Sequence, residues 1–112
     1  MRKRRAVVLA AAGRWPDASG GFGHAFNWIK IDNRGSNAVE WGLAANMASG
    51  DLSSVLGSVG AGKCRVFNVA GPLTEDGPAE DWPLEVFLVS SAGTTVVLEI
   101  ADHPIVDMTF TT

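Results

Sequence analysis

The chain has 112 residues, enough for one domain that buries roughly two-thirds of the surface its unfolded form exposes. Hydrophobic residues make up 46% of it, with four Trp and five Phe, which excludes a disordered chain, while 13 Gly and 5 Pro point to many turns and few helices. The net charge is −3, but Arg2, Lys3, Arg4 and Arg5 stand together at the start, so the remainder is strongly acidic and a poor surface for nucleic acid.

Cys64 is the single cysteine, so no intrachain disulfide contributes. No apolar run reaches the roughly 18 residues that a membrane-spanning helix needs. Residues 1–12 imitate a secretory signal, with a basic start, an apolar run and small residues at Ala10 and Ala12. The run is short for that role. A first strand from Arg5 to Leu9 or beyond, preceded by a charged tip, is the preferred reading.

Residues 13–25 hold four Gly and one Pro and read as a loop or extended arm carrying Trp15 and Phe22. Residues 26–43 then read as two strands. Trp28, Ile29 and Ile31 lead into Asn33-Arg34-Gly35-Ser36, and Val39, Trp41 and Leu43 alternate with Ala38, Glu40 and Gly42. Period-two alternation marks a half-buried strand, and the Asn and Gly tolerate turn dihedrals, so this stretch is expected to be a β-hairpin. Residues 44–62 stay open between a short strand and a single helical turn. Leu52, Val55, Leu56 and Val59 fit a helical face, but four glycines oppose it.

Residues 63–70 are apolar on both faces and read as a central strand. Residues 71–83 form a long loop with three Pro and four acids. Residues 84–90 read as a strand with Leu84, Val86 and Leu88 on one face. A turn at 91–94 leads to a return strand at 95–101 with Val96, Leu98 and Ile100 on one face. Asp102-His103-Pro104 breaks it, because proline lacks the donor that a central strand needs. Residues 105–111 read as a last strand with Val106, Met108 and Phe110 inward. The expected fold is all-β: an antiparallel sandwich, jelly-roll or immunoglobulin-like, of about seven strands with an extended N-terminal arm. The expected division is a strand and arm at 1–25 and a sandwich body at 26–112, in one domain.

The sharpest chemical motif is Gly57-Ser-Val-Gly-Ala-Gly62-Lys63-Cys64. It matches a phosphate-binding loop except that a thiol replaces the hydroxyl that holds Mg²⁺. Arg65-Val-Phe-Asn-Val-Ala reads as a strand where that loop needs a helix, so a glycine-rich turn is the expectation. Asp102-His103 lacks an accompanying nucleophile elbow, and His103 reads as a turn residue. His24 reads as solvated, and Cys64 as a small apolar residue. Glu75, Asp76, Glu80 and Asp81 do not have the spacing of a calcium loop. No catalytic residue, cofactor or metal is expected. Trp82 either plugs the core or anchors a partner.

Ile29-Lys-Ile-Asp-Asn-Arg-Gly-Ser, Phe67-Asn-Val-Ala-Gly-Pro and the 94–100 strand carry a resemblance to a known group. The chain resembles small β-sandwich structural proteins of tailed-bacteriophage virions, the capsid decoration or cement proteins and tail accessory domains. That resemblance implies a non-enzymatic assembly component, often a trimer, located in the virion after assembly in the host cytoplasm. Its partners would be copies of itself and a major capsid or tail protein, with no nucleic acid and no membrane. The interface candidates are Arg2, Lys3, Arg4, Arg5, Trp15, Phe22 and Trp82. The alternative is a ligand- or carbohydrate-binding module that uses Trp15, Trp82 or Trp28 as a stacking platform.

Overall fold

The computed structural model describes residues 2–16, 21–43 and 55–106. Eight strands run in chain order: β1 (Arg2–Leu9), β2 (Gly13–Trp15), β3 (Trp28–Asn33), β4 (Val39–Gly42), β5 (Gly57–Val59), β6 (Cys64–Asn68), β7 (Phe87–Ser90) and β8 (Thr94–Ala101). They form two four-stranded antiparallel sheets, ordered β1-β8-β3-β6 and β2-β7-β4-β5. The protein is therefore an all-β sandwich. Among the described residues no helix is long and apolar enough to cross a membrane.

The core lies between the sheets and follows the alternation. Val7, Leu9, Ile29, Ile31, Val96, Leu98 and Ile100 point inward from the first sheet. Trp15, Val39, Trp41, Val59 and Leu88 meet them from the second, with Phe26 and Val86 closing the space. Burying each large aliphatic side chain contributes about 1.5–3 kcal/mol.

The expected hairpin at 26–43 does not form. Its two strands are correctly placed and correctly faced, but β3 belongs to one sheet and β4 to the other. Alternation tells which face a residue occupies, not which strand lies beside it. β7 and β8 are likewise in different sheets, so 91–93 is an arch and not a hairpin turn. The connections β1–β2, β3–β4, β5–β6 and β7–β8 all cross between sheets at one end of the sandwich, the arch end. The segments 16–27 and 69–86 cross at the other, the loop end. Among the described strands only β4 and β5 are both consecutive and paired.

Further corrections have simple causes. β6 is an edge strand, not a central one; its Phe67 packs on Trp41 at 4.6 Å while Arg65 and Asn68 are exposed. Residues 13–15 of the expected arm are β2, because Trp15 is large and apolar enough to hold three residues in a sheet despite the glycines around it. The charged tip is part of β1, in register with 98–101 of β8. Strand β7 begins at Phe87, and Leu84 is exposed instead of sharing a face with Val86. In the expected last strand, residues 105 and 106 are not strand. Ile105 is buried and Val106 is 87% exposed, the reverse of the expectation: the ladder ends at Ala101 and the chain past Pro104 is not held to strand alternation. Met108, Phe110 and Leu52 lie outside the described residues.

Asn33 ties the arch end together. It is fully buried at the end of β3. Its Nδ2 donates to the carbonyls of Asn37 (2.8 Å) and Val59 (3.0 Å). Its Oδ1 accepts from the Gly35 amide (3.1 Å) and from Thr94 Oγ1 (2.7 Å). Asn37 Nδ2 reaches the Gly93 carbonyl at 2.7 Å, and Ser90 Oγ donates to the Ala38 carbonyl at 2.9 Å. Gly35 has to be glycine here, because a Cβ would collide with Thr94 Oγ1 and the Thr95 amide. Asn33→Ala strands two carbonyls, an amide and a hydroxyl and is expected to lower unfolding free energy by roughly 2–4 kcal/mol. Urea denaturation measures it, and a loss below about 0.5 kcal/mol would contradict this role.

Candidate functional site

The outer face of the first sheet carries charge where an exposed sheet face is usually mixed. Strand register places Arg4, Glu99, Lys30 and Val66 side by side across β1, β8, β3 and β6. Lys30, Asp32 and Glu99 are almost completely buried there. Arg2 Nε donates to Glu99 Oε2 at 2.8 Å, and Arg34 Nε lies 3.8 Å from Asp32 Oδ2. Burial pushes the Asp32 carboxyl above its ordinary value, against the pull of Arg34 and Lys30 and in the same sense as the nearby Glu99. Arg4, Arg5, Ala6, Arg34 and Val97 line a shallow basin beside this row.

Among the described residues β1 is also an edge strand, eight residues long, with one side that no described strand covers. Arg2, Lys3, Arg4 and Arg5 are all exposed on it, and Val8 is 80% exposed. Arg5 holds its guanidinium 5.8 Å from the ring centres of both Trp15 and Phe22, which meet edge to face at 5.7 Å. The four basic interface candidates therefore stand on one open strand. Trp15 and Trp82 do not join them: both are buried within the chain, at 6% and 4% exposure. An aromatic that fills its own core cannot anchor a neighbour without opening that core. Phe22 is half-buried against the Trp15 cluster.

A second feature lies at the loop end. A groove of about 470 Å³ is lined by Trp28, Asn68, Pro72, Leu73, Asp102 and His103, among others. Trp28 is positioned by the start of β3, where it stands in register between Asn68 of β6 and Ala101 of β8. Asp102 and His103 come directly after the end of β8, and the 71–73 stretch closes the wall. Asn27 beneath it donates from Nδ2 to the Gly71 carbonyl at 3.1 Å, fixing that wall. Asp102 Oδ1 and His103 Nδ1 are 3.0 Å apart. That hydrogen bond holds the Asp102 carboxyl below the usual carboxylate range.

The other residues singled out by sequence stay apart. His24 is exposed on the 21–25 segment, and Cys64 is a half-buried free thiol on β6. Residues 60–63 of the phosphate-loop lookalike form a turn between two strands, with Gly62 at φ +71° and Lys63 exposed. Glu75, Asp76, Glu80 and Asp81 are exposed along their loop. Among the described residues no group of three or more His, Cys, Asp or Glu is arranged to hold a metal ion.

The fold and site thus define an antiparallel β-sandwich with a basic edge strand and a mixed apolar and polar groove at its loop end. Compared with known proteins, the chain matches no family model, no curated protein and no solved structure.

Charge at these positions has measurable consequences. Glu99→Gln removes the anion that Arg2 binds and that Arg4 and Lys30 flank, leaving a buried cation with weaker compensation. It is expected to cost roughly 3 kcal/mol, read by chemical denaturation. Asp102→Asn is expected to cost less than about 1 kcal/mol, because the Asp102–His103 pair is largely solvated. Its pH dependence is diagnostic. A carboxyl whose folded pKa is depressed stabilises the fold above its unfolded value of 3.8, and that contribution is lost as pH falls through the depressed folded value. The difference in Tm between wild type and variant should therefore be present at pH 7 and close in strong acid.

Proposed function

We propose that this protein is a non-enzymatic structural component of a tailed-phage virion, a capsid decoration or cement protein that stabilises the particle through contacts with copies of itself and with the capsid. The observation that carries the reading is β1, an eight-residue edge strand bearing four consecutive exposed basic residues on an otherwise acidic chain. Long open edges are a hazard that monomeric proteins cover, shorten or twist away. Arginines and a lysine along such an edge discourage pairing with a second identical edge and favour an acidic partner surface. Glu75, Asp76, Glu80 and Asp81, all exposed on the 71–83 loop, are such a surface on a neighbouring copy. Head-to-tail contacts of this kind close into rings, here a trimer. Exposed Leu84 follows the acidic stretch and adds apolar area to the contact.

Light scattering on the purified protein tests this. The wild type is expected to be a closed oligomer and to co-sediment with shells of the major capsid protein. Lys3→Glu, which stands opposite Ile100 and not opposite the buried Glu99, is expected to shift the oligomer towards monomer with an unchanged far-ultraviolet spectrum. A wild-type protein that stays monomeric at high concentration and leaves the shells bare would refute the proposal.

A further inference from the structure

We infer that the loop-end groove around Trp28 is a binding site for a neutral saccharide, an inference independent of the assembly reading. Of the three tryptophans that sequence offers as stacking platforms, Trp15 and Trp82 are consumed by the core and only Trp28 lies partly exposed in a groove. The groove volume of about 470 Å³ falls within the span of roughly 300–1,000 Å³ typical of small-molecule sites.

The lining fits the two-sided chemistry of a pyranose. A sugar ring presents apolar C–H faces and a rim of hydroxyls. Trp28, Pro72, Leu73 and Pro104 supply apolar surface for the faces. Asn68, Asp102 and His103 supply polar groups for the rim. The Asn68 carboxamide offers both donors and acceptor, and the ionised Asp102 offers acceptors only, a combination that suits vicinal hydroxyls. The Asp102–His103 bond of 3.0 Å orients the imidazole, so its ring is set before a ligand arrives.

Charge narrows the class further. Asp102 stands in the groove and the acidic 75–81 stretch continues from its wall, so an anionic sugar or a phosphate is repelled. Trp28 and Asn68 stand on the ends of β3 and β6, which are paired to one another with β8 alongside β3, so that part of the platform is rigid.

Titration of ¹⁵N-labelled protein with the methyl pyranosides of glucose, galactose and N-acetylglucosamine tests the assignment. At least one is expected to shift the Trp28, Asn68 and His103 resonances saturably, with a Kd of about 1 mM. Trp28→Ala and Asp102→Asn are each expected to weaken that binding by about tenfold or more. Trp28→Phe, which keeps an aromatic face, should retain part of it. Arg14→Gln, on the far sheet, should leave it unchanged. Asp102→Asn changes a solvated turn and keeps the test valid should Trp28→Ala fail to fold. No saturable shift with any of the three sugars overturns the inference. So does binding that survives both substitutions, or a response at these residues to a proline-rich peptide alone.

Discussion

The sandwich depends on one buried carboxamide. Asn33 satisfies acceptors and donors from the segments around residues 35, 37, 59 and 94, which belong to three separate crossings between the sheets. Chain that leaves a sheet loses its ladder partners, and its polar groups need others. At the arch end these are found inside the molecule, through Asn33 first and then Asn37 and Ser90. An aspartate there could not donate, and a leucine could do neither. The residue type and the topology are therefore one requirement.

The two ends of the sandwich have different characters for this reason. The arches are short and their polar groups bond across to one another, so that end is closed. At the loop end the crossings are long, and 71–83 contributes little more than the Thr74–Gly77 bridge to regular structure. Residues with chemical variety gather there: an indole, a carboxylate, an imidazole and a carboxamide within one groove. A scaffold fastened at one end and elaborated at the other is how loops come to carry recognition.

Period-two alternation made the inward faces of β3, β4 and β8 legible, since Ile29, Ile31, Val39, Trp41, Val96, Leu98 and Ile100 are all buried. Strand pairing was not legible, because arches and hairpins share the same turn residues: Asn33-Arg34-Gly35-Ser36 is compatible with both. What decided it was the long-range fit of Asn33 against Val59 and Thr94, distant in sequence. β2 escaped because glycine density outweighed a single Trp. Of the candidate site, Arg2 to Arg5 were legible as a cluster, but their extended placement on an edge required knowing that β8 lies on only one side. The groove was half legible. Trp28 and Asp102-His103 each stood out, but nothing local says that β3 and β8 are neighbours and bring them together.

The arches also govern how the chain must come together. β1 pairs with 94–101, β2 with 88–90 and β3 with 96–101, so most of the ladder joins segments far apart in sequence. Such contacts carry loop-closure entropy before they return any hydrogen bond or burial, and all-β domains of this kind fold in milliseconds to seconds, where local topologies take microseconds. On the ribosome β1 emerges some ninety residues before its partner β8, at synthesis rates of about 5–20 residues per second. For those seconds the basic strand has no sheet to join. Its positive charge opposes the addition of one such edge to another over that interval.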